Sequence, residues 1–264
     1  MRADKSISAR TRLALQAAQR SGYAVILVSA RPPRDVRGFA DELGLTNPSI
    51  CSNGAITYDA ATHQVLRHER LSMDGARELA NLLRGRLPEL LFATDHGDKF
   101  GYEPGFPRFF EGLKHDHPPR VHDVAILCAE ETTKLLVHHP EWTVERLADF
   151  VRGDCDALTV THSGAGFIEI GAAGVTKAAG LSLHCADVRI SPDEVIAFGD
   201  MPNDIPMLAF AGHGVAMANA HAEVLDMADE VAASNEEDGV AQIIERLLQA
   251  PRGMPSQADS TGFL

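Results

Sequence analysis

A small cluster of polar residues follows an apolar run in the last third of the chain. Asp200 comes directly after the run VIAFG, and Asn203 and Asp204 follow within the next turn. Ligands of a parallel α/β sheet gather at the carboxyl ends of its strands, and oxygen ligands of this kind suit Mg²⁺. The cluster therefore predicts a magnesium site. The alternative is that Asp200 only ends a strand, while Asn203 or Asp204 caps the following helix.

A second candidate is Ser29, which ends the apolar run VILVS. At the tip of a strand it would offer a hydroxyl and nearby backbone N–H groups to an anion, beside the N-terminus of the next helix. Arg31 and Arg34 could reach the same anion. The alternatives are a plain turn serine and two solvated arginines.

Lys177 is the third candidate, because it lies near the start of a predicted helix in GVTKAAGL. A positive charge opposes the helix dipole at that end unless it meets a negative ligand. An ordinary surface lysine is the alternative. Taken together, carboxylates, a hydroxyl and an ammonium group at strand ends predict a combined phosphate and magnesium site.

The elements around these residues alternate between helices and apolar strands. Ser8 is the predicted N-cap of a first helix that stops at Gly22, and a second helix ends at Gly44. Between them, YAVILVSA is typical of a strand that is covered on both faces. The pattern resumes near Phe167 with the strands FIEI, VIAFGD and GVAMA, and a last helix begins after Asp238. This alternation predicts a doubly wound parallel sheet, an α/β fold.

The middle of the chain differs from both ends. Its strand candidates LLFAT, KLLVHH and ALTVTHS carry more polar residues at alternate positions, which is typical of a sheet with one exposed face. We therefore expect a core domain from residues 1–59 and 165–250, with residues 60–164 forming an inserted α+β domain. The Pro-, Gly- and Ser-rich residues 251–264 are expected to form a mobile tail.

Composition narrows the class of protein. The chain of 264 residues is 45% hydrophobic and has a net charge of −13, which argues against a nucleic-acid partner. No apolar run reaches the ~18 residues of a membrane span, and no secretory signal opens the chain. Four scattered cysteines without a C-x-x-C pair indicate reduced thiols and a cytoplasmic protein. The pair His138-His139 lacks metal-ligand spacing, and GDCD is expected to be a turn.

Several motifs in order resemble one family. They are SISARTRLALQAAQRSGYAVILVSARP, SNGAITYD, FIEIGAAGVTKAAGL, IAFGDMPNDIPML and SNEEDGVA. The chain is similar to haloacid dehalogenase (HAD) superfamily phosphatases, in particular the Cof-type branch, which includes sugar-phosphate phosphatases. The resemblance runs nearly from end to end. It implies a Rossmann-like core with an α/β cap inserted after the third core strand.

The resemblance also implies roles for individual residues. Ser29 and Lys177 would be catalytic groups, the first hydrogen-bonding the phosphate and the second neutralising it. Mg²⁺ would be held by Asp200 and Asp204. The substrate-binding residues would be Ser29, Ala30, Arg31, Asn53, Lys177 and Asn203, with Ala30 standing where the family often has glycine.

The chain departs from this family at its beginning. Members open with a buried strand that ends in Asp-x-Asp-Gly-Thr, whose first aspartate attacks phosphorus and whose second is a general acid and base. Met1 lies just beyond the place where that motif would end, and no equivalent follows elsewhere. We therefore expect the central first strand, between the Ser29 and Asp200 strands, to be missing. A core without it should be strained, rearranged or dependent on a partner.

These observations lead to one functional hypothesis and one alternative. The chain is predicted to be a Mg²⁺-dependent phosphatase of a small phosphorylated metabolite such as a sugar phosphate, inactive as given because the nucleophile motif is absent. Either the sequence starts too late or the protein is truly shortened. In the second case it would be a non-catalytic module that binds phosphorylated ligands or Mg²⁺. The oligomeric state cannot be inferred from these patterns.

Overall fold

A computed structural model describes residues 1–107, 118–153 and 157–249. Its helices are α1 Ala9–Arg20, α2 Pro33–Leu43, α3 Met73–Arg86, α4 Val124–Leu127, α5 Val144–Arg152, α6 Lys177–Val188, α7 Ile205–Phe210, α8 Ala222–Met227 and α9 Gly239–Gln249. Its strands are β1 Ser49–Cys51, β2 Ile56–Asp59, β3 Gln64–His68, β4 Leu91–Asp95, β5 Phe100–Tyr102, β6 Arg120–Val121, β7 Lys134–His138, β8 Thr159–Thr161, β9 Ile168–Gly171, β10 Ile196–Gly199, β11 His213–Met217 and β12 Glu230–Ala232. The predicted turn GDCD and the predicted tail fall mainly outside the described residues.

The ends of the helices agree with the local signals. The Ser8 side chain accepts a hydrogen bond from the Thr11 backbone N–H and caps α1. Gly44 ends α2 in the left-handed conformation, with φ of 63°. The last helix, α9, begins directly after Asp238. Short-range capping chemistry therefore determines these boundaries.

A parallel sheet of β10, β11 and β12 forms part of the core. Its side chains pack into two apolar clusters. One cluster includes Ala197, Ala216 and residues of α6, α7 and α8, and the other includes Val215 and Ile243 of α9. Helices on both faces of a parallel sheet confirm the predicted α/β class.

The predicted strand over residues 23–30 does not form a regular ladder. Its only bridge joins Val28 to Ile50 in parallel. The Ser29 N–H donates to the Ile50 carbonyl at 2.8 Å, and the Ile50 N–H donates to Leu27 at 2.7 Å. Tyr23 is 48% exposed, and residues 25–28 are only half-buried. The two faces are covered as predicted, since Val25 and Leu27 pack on one apolar cluster and Ile26 and Val28 pack on another. With hydrogen-bonding partners on one edge only, the segment nevertheless stays half-buried and forms no regular strand.

The other edge of this segment faces the free edge of β10. Backbone groups in a strand point alternately to its two sides, so Ile26 and Val28 point away from β1. No hydrogen bond to their backbone groups occurs within the described residues. β10 pairs with β11 alone. Ile26 and Val28 nevertheless pack in one apolar cluster with Ala197. Among the described residues, no strand pairs with either of these edges, and the missing first strand stays a prediction.

A six-stranded sheet lies in the middle of the chain, in the order β6-β5-β4-β7-β9-β8. β9, which was predicted to be a core strand, pairs instead with β7 and β8. That assignment was wrong because the pairing partner is set by long-range register, which a strand's own composition does not reveal. The division of the chain into a core and an inserted domain stays a prediction.

The six-stranded sheet is also more buried than its sequence indicates. β4 and β7 are buried along almost their whole length. One face packs on helices α3 and α5, and the other is covered by the aromatic side chains of Phe100, Phe106 and Phe167. The prediction of an exposed face was therefore wrong. Among the described helices, none is both long and apolar enough to cross a bilayer.

Candidate functional site

Asn53 joins two of the predicted site residues. It lies in the 3₁₀ turn after β1, with φ of 59°, and is only 5% exposed. Its backbone N–H donates to the Ser29 carbonyl at 3.0 Å. Its side-chain Oδ1 accepts from Nδ2 of Asn203 at 3.1 Å. The turn therefore brings the end of the Ser29 segment against the loop that follows β10.

Lys177 and Asp204 form a buried ion pair beside this turn. Lys177 is the first residue of α6, and its Nζ lies 2.5 Å from Asp204 Oδ1, with both side chains less than a tenth exposed. The second oxygen, Oδ2, accepts from the backbone N–H groups of Asp200 and Met201, each at 3.0 Å. Asp204 thus holds the loop after β10 closed and fixes Lys177 against it.

Glycines allow these segments to approach each other. Gly54 has φ of +99°, and a Cβ there would lie 2.1 Å from the Thr176 carbonyl oxygen. At Gly199 a Cβ would lie 2.5 Å from the Cβ of Asp204. Both contacts are far below van der Waals distance, so a side chain at either position would push the start of α6 or the Asp204 loop out of place.

Asp200 lies at the carboxyl end of β10 and forms no ion pair within the described part of the chain. Burial, and then the neighbouring Asp204 carboxylate, raise the pKa of Asp200, while Lys177 opposes the rise. Asn203 Oδ1 is also buried without a hydrogen-bond partner. A carboxylate without an ion-pair partner beside a buried oxygen without a hydrogen bond fits a hard divalent cation such as Mg²⁺.

The donor set is small. Within the described ranges, no group of three His, Cys, Asp or Glu side chains could hold a metal ion. Asp200 and Asp204 would therefore supply the carboxylates, and the other ligands would come from water or substrate oxygens. Mg²⁺ commonly binds in this way, with one or two carboxylates and several waters.

The residues around Ser29 have different roles in the structure. Ser29 Oγ accepts from the Arg31 backbone N–H at 3.1 Å, which leaves its hydroxyl hydrogen free to donate. The Ala30 carbonyl accepts from Lys134 Nζ at 2.8 Å. The Arg31 guanidinium carbon lies 5.8 Å from the centre of the Phe39 ring on α2. Among the residues that the structure describes, the Arg31 side chain forms no hydrogen bond or ion pair with another predicted site residue.

Arg34, the other candidate for binding an anion, already has an anionic partner. Its Nη2 lies 2.8 Å from Asp95 Oδ2 of β4, and both side chains are 5% exposed. Nη1 donates to the Gly97 carbonyl at 2.8 Å. Arg34 therefore ties α2 to the six-stranded sheet and is not available to a ligand.

A second buried ion pair was missed by the sequence analysis. Lys134 of β7 contacts Glu169 of β9, and both side chains are 5% exposed or less. The Asn53 Nδ2 group donates to Glu169 Oε2 and to Thr161 Oγ1, each at 3.1 Å. Only the register between β7 and β9 brings these charges together, so no local pattern could have revealed the pair.

A cavity of about 240 Å³ opens beside Lys177 and Asn203. Its walls come from two parts of the fold: β8 and the end of α5 on the side of the six-stranded sheet, and the start of α6 and the loop after β10 on the side of the parallel sheet. The lining residues are Asn53, Arg152, Thr159, Val160, Thr161, His162, Thr176, Lys177, Pro202, Asn203 and Pro206. Much of the predicted site therefore borders a space large enough for a small ligand.

The adjacent histidines have structural contacts. Nδ1 of His139 accepts from the backbone N–H groups of Glu141 and Trp142, and its ring stacks on Trp142 at 4.8 Å. Nδ1 of His138 lies 2.7 Å from the Gly166 carbonyl oxygen. Both histidines therefore make hydrogen bonds within the protein, as ordinary structural histidines do.

Comparison with known proteins agrees with this arrangement. The family model of haloacid dehalogenase-like hydrolases matches residues 1–244. The chain is 28% identical over 247 residues to a 5-amino-6-(5-phospho-D-ribitylamino)uracil phosphatase, YitU, of Bacillus subtilis (strain 168), covering 92% of this chain and 91% of that protein. It is 28% identical over 241 residues to the pyridoxal phosphate phosphatase YbhA of Escherichia coli (strain K12), covering 88% of each.

A solved structure shows the same fold. A haloacid dehalogenase-like hydrolase from Bacteroides thetaiotaomicron superposes with a TM-score of 0.77 at 27% identity, over 94% of this chain and 95% of that one. The residues matched by the family model include the loop that carries Asp200 and Asp204. The chain belongs to the haloacid dehalogenase-like hydrolases.

Proposed function

We propose that this site is built for Mg²⁺-dependent hydrolysis of a small phosphorylated metabolite. The observation that carries the proposal is the convergence of Ser29, Asn203 and Lys177 on the turn at Asn53, next to the Asp200 loop. The two relatives named above are phosphatases of phosphorylated metabolites. A sugar phosphate is the substrate class proposed from the sequence.

The protein groups suit a phosphoryl ligand. The Ser29 hydroxyl has a free hydrogen to donate to a phosphoryl oxygen. The Lys177 ammonium uses one of its three N–H donors on Asp204 and keeps the others for the anion. Because Asp204 fixes Lys177 in place, the ammonium needs little reorganisation when the ligand arrives. Such preorganisation is the main electrostatic contribution a protein makes to phosphoryl transfer.

Asp200 and Asp204 would hold the metal. When bound, Mg²⁺ supplies neutralisation of the phosphoryl charge and helps to orient the leaving group. The raised pKa of Asp200 supports this assignment. It shows that the charged form of the carboxylate is destabilised in the folded protein, and a bound cation would stabilise that form.

The nucleophile is not among the described residues of the site. Glu169 is held by Lys134 and Asn53. Asp204 is fixed in place by Lys177 and two backbone donors, which leaves an oxygen lone pair for a metal but prevents the carboxylate from moving to attack phosphorus. The free edges of residues 26–28 and of β10 border the place where the family carries its nucleophile strand. We therefore propose that the chain as given binds phosphate and Mg²⁺ but does not turn substrate over. A non-catalytic binding module is the alternative function.

Binding of inorganic phosphate tests the site directly. Titration calorimetry with Mg²⁺ present should show saturable phosphate binding. S29A should weaken it about 10- to 100-fold, since one hydrogen bond to a charged group is lost. S6A removes an exposed serine near the N-terminus and is the matched control. Equal binding by all three proteins would contradict the role of Ser29.

Hydrolysis of p-nitrophenyl phosphate tests the absence of turnover. The chain as given should release no p-nitrophenol above background with Mg²⁺, because loss of a catalytic nucleophile costs on the order of 10⁶ in kcat. A chain extended by a strand ending in Asp-x-Asp should gain activity. Brisk turnover by the chain as given, abolished by D200N, would overturn the proposal. An extended chain that stays inert would favour the binding module.

We further propose a cytoplasmic location for the protein. Cys51, Cys128 and Cys185 are all buried free thiols. Burial raises the pKa of Cys51 to about 12 and that of Cys128 to about 11. Unreactive, unpaired thiols are typical of proteins kept in a reducing compartment. Reaction of the folded protein with a thiol reagent should therefore be slow at these three positions.

A further inference from the structure

The 240 Å³ cavity has two chemically distinct ends. Lys177 and Asn203 form the core end, where the proposed function places the phosphoryl group. The other end is formed from the side of the six-stranded sheet, by Arg152 at the end of α5, Thr161 of β8 and His162. We call these three residues the distal pocket. Thr161 is linked to Asn203 of the core end through the Asn53 side chain.

The distal pocket has an unusual charge for this protein. The chain carries 37 acidic and 24 basic residues, yet no Asp or Glu is found among the described residues that line the cavity. Arg152 is the cation at this end. Its Nη1 pairs with Asp149 at 2.9 Å, but that carboxylate is 76% exposed and does not line the cavity. The described lining residues are therefore complementary to an anion at both ends.

The hydrogen-bond donors at the distal pocket also favour a negatively charged ligand group. Arg152 uses one N–H on Asp149, and a guanidinium has five N–H donors in all. Thr161 Oγ1 already accepts from Asn53 Nδ2 at 3.1 Å, so its hydroxyl hydrogen is free to donate. A ligand group that reaches this end thus meets donors, and an anionic acceptor with two oxygens satisfies them best.

We propose that the distal pocket selects phosphorylated metabolites that carry a carboxylate at the end away from the phosphoryl group. This inference rests on the proposed function, since it takes the core end as the phosphate site. The cavity volume corresponds to roughly eight water molecules at about 30 Å³ each, which restricts the ligand to a short molecule. The substrate class is therefore a small phosphorylated acid, such as a phosphorylated sugar acid, and not a neutral sugar phosphate.

Two ligands of nearly equal size separate these classes. 3-Phosphoglycerate has a carboxylate where glycerol 3-phosphate has a hydroxymethyl group. Titration calorimetry with Mg²⁺ should give 3-phosphoglycerate a preference of about 5- to 20-fold, the range expected for one charge-assisted contact at a partly exposed arginine. R152Q should abolish this preference and leave inorganic phosphate binding unchanged. R152K keeps the charge and should retain part of the preference.

R146Q is the matched control. Arg146 lies on the same helix, its guanidinium carbon is 3.9 Å from the centre of the Trp142 ring, and it does not line the cavity. R146Q should keep the full preference. If the unchanged protein binds the two ligands equally, the inference is overturned. If it still binds inorganic phosphate, the proposed function is unaffected. An equal loss in R146Q and R152Q would also overturn the inference. Failure of inorganic phosphate to bind would overturn both.

Discussion

The Lys134–Glu169 pair offers a quantitative test of how the six-stranded sheet is held against the Ala30 and Asn53 segments at the site. Both side chains are 5% exposed or less. Lys134 also donates to the Ala30 carbonyl at 2.8 Å, next to Ser29, while Glu169 accepts from Asn53. A charge left alone in such a place is costly, because removal of one partner from a buried pair typically costs about 3–5 kcal/mol.

We therefore expect K134M to lower the free energy of unfolding by about 3–5 kcal/mol, since it leaves the Glu169 carboxylate buried with only amide and hydroxyl neighbours. In a chain of this size that corresponds to roughly 6–20 °C in Tm. The double variant K134M/E169L removes both charges. It should lose only about 1–2 kcal/mol, mostly from the acceptor that Asn53 no longer has.

Urea unfolding of the two single variants and the double variant measures the coupling directly. The reasoning predicts that the double variant is more stable than K134M, which is possible only if the two charges interact. Additive losses, with the double variant less stable than either single variant, would refute the assignment of a coupled buried pair. The matched control is the exposed pair Lys99–Glu130, at 3.7 Å, where K99M should change the free energy by less than about 1 kcal/mol.

Three further predictions concern packing, pH and charge. G180V should destabilise the protein by about 1–3 kcal/mol in urea unfolding, because a Cβ there lies 2.7 Å from Ile50 Cγ2; G85A, in open space on α3, should be neutral or stabilising. Burial lowers the pKa of His68 to about 4, below its ordinary value of about 6.5, so stability is complete above pH 6.5 and falls as the pH drops towards 4. The loss should be about 1–2 kcal/mol for this half-buried group and should disappear in H68Q; an unchanged pH profile in H68Q would contradict the assignment. Without Mg²⁺, D204N should lower the free energy of unfolding by about 3–5 kcal/mol, because it leaves the Lys177 charge buried without its partner. D200N should be neutral or stabilising. The reverse order of the two variants in thermal unfolding would refute the roles given to these residues.

Local signals predicted the parts of this fold whose causes are local. A side chain that caps its own helix, as Ser8 does, or a glycine that ends one, as Gly44 does, acts within a few residues. The order of the site residues along the chain was equally informative, because strand ends in an α/β sheet place their loops at one edge. The fold class and the family could therefore be predicted from the sequence alone.

Long-range pairing explains what could not be predicted. β9 has the composition of a core strand, but its neighbours are chosen by register with β7, more than thirty residues earlier in the chain. For the same reason Lys134, a lysine at the start of an apolar strand, gave no sign of its contact with Glu169. The segment over residues 23–30 is as apolar as a buried strand, yet a regular strand needs hydrogen-bonding partners along its edges, and composition does not report whether they are present.

The side chain of Asn53 has a consequence for motion. One amide group bonds Asn203 through its oxygen and Thr161 and Glu169 through its nitrogen, so it spans the loop after β10 and two strands of the other sheet. If the six-stranded sheet swings away to admit a ligand, either the nitrogen or the oxygen must give up its partners. Such an opening would therefore break the Asn53 hydrogen bond to Asn203 or those to Thr161 and Glu169.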